Sequence, residues 1–495
     1  MKAGHRGSQQ FARDVVWVGL SQLLTSLFGF FTLPLLAKSY PPALYGIWAQ
    51  ASVTVSLFSP LLTLHFGTAA NRFLAGENDG IRRNRTLVAM LAVIAAVSGA
   101  VALLGVVWAA PLSRFLFARG DCAAFVRPIA LWMGVGALFL FLIAYLRAKG
   151  QIRRLAAVTG ASALCKIAGM SVLALSGAGL AWILYAMAFI ELGFVAGMLI
   201  AIVGEEGFGR PDFSRLRSFL AFSLPQIPLS ALLWIISASD RYFITHFLGL
   251  EQAGIYTSSH SLGGLITFFY YPIAFVLLPI VSRLWDQGSR EEVRKYLEYS
   301  TRLFLTLAIA AVAGITLLSQ PLLNVLATSR YLVGWKLVLL VASGSMFLGV
   351  FQINLYIIYL VQQTRWLPLI VAAASGVSVA LNVALIPRIG IFGAAVSNIV
   401  AYGLLAAIVV LWANRVVRCR YDFLYLGKVL AAAAGMAAAL SLLPLAGIAR
   451  ILLAVALGAL AYGGLLFLLR AFSEKDRQLI RDALAGLLRG NGGRG

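Results

Sequence analysis

Fourteen apolar stretches, most of them a little over 20 residues long and each closed by a short polar break, fill this chain between residues 15 and 470. A helix rises ~1.5 Å per residue, so each stretch is long enough to cross a hydrocarbon layer of ~30 Å. The first six run over 15–37, 43–66, 87–110, 125–146, 155–175 and 180–203. Six more follow a polar segment, at 218–239, 253–281, 301–320, 336–360, 366–386 and 391–413, and a last pair lies at 425–446 and 450–470. With 61% hydrophobic and 12% charged residues, the chain has too much apolar surface to hide in a soluble core. The expected fold class is therefore an all-α polytopic membrane protein of about 14 transmembrane helices. Val15–Ala37 is too long for a signal-peptide core and reads as a retained first span.

The basic residues give these spans a direction. Placing the N-terminus inside puts 30 of the 40 Lys and Arg on inner segments and 9 on outer ones, with Lys166 left within a span. Such a bias is what the positive-inside rule demands, and dropping one span would scramble it. Both termini are expected in the cytoplasm. The net charge of +22 then reflects topology and contact with anionic lipids. It does not indicate a nucleic-acid partner, which would need a sizeable basic soluble domain.

Two spans carry an isolated charge near their middles: Lys166 in 155–175 and Glu191 in 180–203, joined by Ser176-Gly-Ala-Gly179. In an antiparallel hairpin the two reach similar depth, close to the bilayer midplane. A charge there costs roughly 3 kcal/mol on insertion scales, so it should face a partner or a watery space. Two readings stay open. Either the pair simply holds two helices in register, or it lines a polar pathway.

The second six spans look like a repeat of the first. Ala43-Leu-Tyr-Gly-Ile-Trp48 matches Glu251-Gln-Ala-Gly-Ile-Tyr256, and each precedes a proline-interrupted helix (Pro60; Pro272 and Pro279). Tyr145 to Gly150 likewise aligns with Tyr359 to Thr364. The implied organisation is an N-lobe at 1–203, an inner linker at 204–217, a C-lobe at 218–413, spans 13 and 14 at 414–470 and an amphipathic tail at 471–495. An even number of spans per half makes the repeats parallel and favours two bundles rocking around a central cavity. Glu291 to Thr301 reads as an interfacial helix leading into the ninth span. The tail places Leu479, Ile480, Leu484, Leu487 and Leu488 on one face, a pattern suited to the inner leaflet.

Ser378-Val-Ala-Leu-Asn-Val-Ala-Leu-Ile-Pro-Arg-Ile-Gly-Ile-Phe-Gly-Ala-Ala-Val-Ser-Asn398 resembles a segment common in polysaccharide exporters. These are the Wzx-type flippases of the multidrug/oligosaccharidyl-lipid/polysaccharide superfamily. The Gly-Ile-Tyr around Gly254, after Asp240-Arg241 and Leu248-Gly249, is similar too. In the segment itself, Pro387 and Gly390 break the chain, while Gly393, Ala394 and Ala395 let helices approach closely, which is a packing role. The resemblance implies alternating access that carries an undecaprenyl-diphosphate-linked glycan, as in O-antigen, exopolysaccharide or capsule synthesis, from the cytoplasmic to the outer leaflet of a bacterial inner membrane. Polymerases and glycosyltransferases are the partners it suggests.

An anionic diphosphate with a polar glycan needs a wet cationic lining. Candidates are Lys166 at mid-depth, Lys38, Arg241 and Lys336 towards the outer face, and Arg72 and Arg283 at the inner mouth. Arginine can clamp phosphate bidentately, whereas lysine acts as a point charge. No cofactor is expected, though ion coupling by protons or sodium is compatible. Glu191 and Asp240 are candidate proton carriers, and His65 and His260 titrate in the right range. A multidrug extruder of the same superfamily usually has an acidic residue in its first span, absent here. A lipid II flippase tends to carry several early intramembrane arginines, against Arg13 alone. A glycan polymerase or ligase would display a large catalytic outer loop, and Pro111–Val126 and Ser239–Gln252 are short. Cys122, Cys165 and Cys419 fall in three compartments, which excludes a disulfide, and no metal-ligand spacing occurs.

Overall fold

The computed structural model describes residues 28–77, 79–207, 209–419, 422–443 and 447–471, together with 17, 19, 21, 24 and 25. Its described regular structure is helical throughout. Eleven helices are long and apolar enough to span a membrane, and two bent pairs raise the number to 13. Each corresponds to one of the expected spans after the first. The first span, 15–37, lies partly outside the described residues, but 28–39 is helical. The chain is thus a multi-pass membrane protein. All of the tail beyond Ala471 lies outside the described residues.

The two spans that open with the repeated motif bend alike. Pro42–Leu62 meets Phe66–Phe73 at 45°, and Leu250–Ala274 meets Val276–Asp286 at 41°. Proline explains the weak point, because it removes a backbone donor and crowds the preceding turn. Pro60 stands just before the first break and Pro272 just before the second. The paired motifs also touch. A Cβ on Gly46 would fall 1.9 Å from the Leu250 carbonyl oxygen, and one on Gly254 would fall 2.1 Å from the Pro42 carbonyl oxygen. Each glycine therefore admits the start of the other helix, and any side chain would force the backbones apart.

Two compact units form. One consists of Met1–Ser261, Leu326–Leu332 and Arg365–Ala401. At its centre is the helix Ala123–Ala148, with 72% of its spanning window buried, against 17% for Leu216–Ala238. It packs on Leu180–Glu206, Gly80–Val107 and Pro42–Leu62. At one end of this bundle Glu206 accepts hydrogen bonds from the Tyr145 hydroxyl at 2.8 Å and from Arg83 at 3.2 Å, with Lys149 at 2.6 Å. Glu205 binds Lys149 and Arg154, and the Asn84 amide donates to the carbonyls of Glu206 and Gly207. Basic residues counted for topology therefore also tie four helices together at that end.

The other unit consists of Leu262–Val325, Val333–Thr364 and Tyr402–Gly495. Its longest element is the 37-residue helix Arg290–Leu326. The expected interfacial helix over 291–301 leads without a break into the span, as one helix. No glycine or proline interrupts the sequence there, so propagation costs less than a new start. The final pair, Phe423–Ser441 and Ile448–Leu468, packs on this helix through Leu318, Val429, Ala433, Met436 and Leu466. The Tyr462 hydroxyl donates to the Thr306 carbonyl at 2.8 Å, and Thr306 shares a 2.6 Å hydrogen bond with Tyr425. The connections read as outer loops contain short helices, Ala109–Phe117 and Asp240–Leu248.

Candidate functional site

Lys166 lies near the middle of Ile152–Leu175 and Glu191 near the middle of Leu180–Glu206, and their side chains form an ion pair. Both are sheltered, with side-chain exposures of 13% and 8%. The lysine ammonium is also 5.6 Å from the centre of the Phe139 ring and 5.9 Å from that of Phe28. Aromatic faces carry partial negative charge, so they supply some of what water would. Glu191 is less completely served. Its Oε2 is buried and has no hydrogen-bond partner. That oxygen lies over Gly136, where a Cβ would come within 3.2 Å of it and 2.9 Å of the Ser59 hydroxyl. Ser59 donates its own proton to the Met133 carbonyl at 3.1 Å. The glycine leaves room for the carboxylate, but among the described residues nothing bonds to its second oxygen.

A second buried charge group is assembled by residues far apart in the sequence. Asp240 is 1% exposed and Arg241 6%. Oδ1 of Asp240 accepts from the Arg241 backbone N–H at 2.8 Å and from its guanidinium at 3.0 Å. Oδ2 accepts from the Tyr256 hydroxyl at 2.6 Å and from the Asn398 amide at 2.9 Å. The guanidinium donates further to the Ser237 carbonyl. His260 stands beside the group, its ring 5.9 Å from that of Tyr256. Four donors serve the one carboxylate, so both oxygens of Asp240 are satisfied.

Arg241 was expected as an outer lining residue, and the structure gives it to this network. Tyr256 closes the repeated motif Glu251–Tyr256, and Asn398 closes Ser378–Asn398, which the sequence reads as a packing segment. An asparagine inside an apolar span is the signal that marks Asn398 as a buried hydrogen-bonding partner. Here it donates to Tyr256 as well, at 3.1 Å.

The remaining candidates stand outside both groups. Lys38, Arg72, Arg283 and Lys336 are exposed. Arg72 stacks on Phe222, 4.7 Å from the ring centre, and Lys336 lies 6.0 Å from the Trp335 ring. His65 sits in the bend of its span with a left-handed backbone (φ 54°), and its buried Nε2 has no hydrogen-bond partner. Among the described residues no group of His, Cys, Asp and Glu could hold a metal ion, and the three cysteines are free.

Comparison with known proteins places these features in context. The profile of the family described as "Polysaccharide biosynthesis protein" matches residues 11–285. A probable low-salt glycan biosynthesis flippase, Agl15, of Haloferax volcanii is 24% identical over 217 residues, 42% of this chain and 45% of that protein. An uncharacterized membrane protein of Methanocaldococcus jannaschii is 25% identical over 173 residues, 34% of this chain and 33% of its own length. The chain thus spans less than half of either curated relative. Among solved structures, the lipid II flippase MurJ in an inward closed conformation superposes with a TM-score of 0.73 at 13% identity, covering 91% of this chain and 98% of that one. An inward-facing multidrug resistance MATE transporter of the MOP superfamily gives 0.65 at 14% identity, covering 81% and 94%. The fold is therefore the one shared by MurJ and the MATE transporters.

Proposed function

We propose, on the premise that the chain belongs to the polysaccharide biosynthesis protein family, that it is a membrane transporter that flips a lipid-linked oligosaccharide between leaflets. The partial match to a relative named as a probable glycan biosynthesis flippase supports this reading. The MurJ-like fold supports it too, because that flippase handles a lipid-linked substrate. In the finer form, the cargo is an undecaprenyl-diphosphate-linked repeat unit of an O-antigen, exopolysaccharide or capsule. It moves from the cytoplasmic to the outer leaflet of a bacterial inner membrane, with both termini in the cytoplasm. Anionic lipids contact the basic inner segments. The lobes at 1–203 and 218–413 alternate in access, linked by 204–217, with 414–470 as accessory spans.

The observation that carries the mechanism is the sheltered Lys166–Glu191 pair with its unbonded carboxylate oxygen. A lysine whose one charged partner among the described residues is a carboxylate with a spare oxygen can exchange that partner for a substrate diphosphate. Glu191 is then released to take a coupling proton. Lys38, Lys336, Arg72 and Arg283 guide the anionic head along the rest of the route. His65 and His260 are the other groups able to respond to a proton.

Vesicles containing the purified chain and a lipid-linked oligosaccharide test the proposal. The oligosaccharide should become accessible to an impermeant lectin on the opposite face, and protein-free vesicles should leave it hidden. Exchanging the charges, Lys166→Glu with Glu191→Lys, separates the two roles of the pair. Continued failure of transport in a normally folded protein supports substrate contact. Recovery of transport means that the pair is only a structural tie.

A further inference from the structure

The central helix Ala123–Ala148 has no side chain at Gly136, and oxygens from two other helices converge on that gap. A Cβ at Gly136 would lie 3.2 Å from Oε2 of Glu191 and 2.9 Å from the Ser59 hydroxyl, so the two oxygens are no more than about 6 Å apart. Both residues are buried. The Ser59 proton is committed to the Met133 carbonyl at 3.1 Å, so this hydroxyl has lone pairs, not a donor, left for the carboxylate. Oε2 in turn has no hydrogen-bond partner among the described residues. Two facing acceptors match only when one of them gains a proton. Glu191 can gain one, because a protonated carboxyl group donates.

The charges at this depth favour the same oxygen. Lys166 is the charged partner of Glu191, and the apolar middles of Pro42–Leu62, Gly80–Val107 and Ala123–Ala148, which pack on Leu180–Glu206, carry no ionisable side chain. When Lys166 turns to a substrate, Glu191 is left within the membrane without a counter-charge, where its ionised form is costly. We propose that Ser59 is the positioning residue that receives neutral Glu191: Oε2 binds the coupling proton and donates it to the Ser59 hydroxyl, which goes on donating to Met133. This deepens the reading of the Lys166–Glu191 pair as a transport site and rests on it. The step is a protonation alone, in which a carboxylate and a proton from the aqueous side become a carboxyl group. Its consequence is a tie between helices that lasts only while the proton is held. Ser59 directly precedes Pro60 in the span that bends by 45°, and Leu64 and His65 are both left-handed at the break (φ 51° and 54°). Proton uptake at Glu191 is thus passed to the least regular part of that span.

Infrared spectra of the full chain in lipid vesicles test the contact without requiring transport. In a Lys166→Met background Glu191 lacks its counter-charge and should give a protonated-carboxyl band, assigned by its loss in Glu191→Gln. A carboxyl group that donates its proton has a weakened C=O bond, so adding Ser59→Ala should raise the frequency of that band. Ser98→Ala removes a different buried hydroxyl beside the same central helix, near Gly134, and should leave the band in place. In the otherwise unaltered chain, Ser59→Ala should slow lectin-detected transport about tenfold, the loss expected when a buried donor has no acceptor. Ser98→Ala should not. Absence of the carboxyl band, a band that Ser59→Ala leaves in place, or one that Ser98→Ala moves equally would overturn the assignment, even in a chain that transports. Unimpaired transport in Ser59→Ala would overturn it as well. If the unaltered chain transports nothing, the flippase reading fails, and the infrared bands alone decide the Ser59 contact.

Discussion

Two buried charge pairs lie in the same compact unit, and they differ in chemistry. Asp240–Arg241 is wired: four donors serve the carboxylate, and the guanidinium has a backbone carbonyl besides. Lys166–Glu191 is sparse: one ion pair, two aromatic rings nearby and an oxygen with no partner. A guanidinium cannot shed its charge in a protein, whereas an amine and a carboxyl group each have a neutral form. The first pair is thus a fixed feature of the fold. The second can lose or exchange a partner without stranding a permanent charge, which a transport site requires.

The largest effect should come from breaking the wired pair. Asp240→Ala leaves Arg241 buried and charged without its carboxylate, a loss of about 3–5 kcal/mol. Purified yield and unfolding temperature in detergent should both fall sharply, and a normal unfolding temperature would refute the fixed-charge reading. Lys166→Ala should act on function instead. Losing a charged hydrogen bond to substrate costs about 1.5–3 kcal/mol, so glycan transport should drop tenfold or more at near-normal abundance. Unimpaired transport would take Lys166 out of the route. Gly136→Ala presses a methyl group against Glu191 and Ser59, and overpacking of this kind costs about 1–3 kcal/mol. It should lower transport with a modest shift in unfolding temperature. Placing the same methyl at Gly376, where nothing lies within 4 Å, provides the control. The smallest change in transport is expected from Tyr256→Phe. It removes one of four donors to Asp240, a charged hydrogen bond worth about 1.5–3 kcal/mol to stability, and should leave transport intact.

Much of the fold was legible before any coordinates. Apolar length sets each span, and every expected span from 43–66 onward has its helix. Facing positions near the middle of adjacent spans paired Lys166 with Glu191 correctly, because a short hairpin leaves little freedom in register. The proline breaks also appear where the repeated motifs predict them. Arg241 was less legible: depth alone cannot tell an arginine that lines a route from one enclosed by Tyr256 and Asn398. Those two partners lie 16 and 158 residues from Asp240, and no local periodicity connects them. The inner linker was read as a polar spacer, yet Asn84 and Arg215 fasten it to other segments.

The sequence by itself determined that this chain spans a membrane many times, which stretch forms each span, and which charges lie too deep to be incidental. Hydrophobic length and the cost of a buried charge are local properties, written along the chain. Tertiary packing decided which buried charge is fully bonded and which is left with an unpartnered oxygen. It also decided where two glycines let helices touch. Those outcomes depend on distances between residues remote in sequence, which only the packed helices fix.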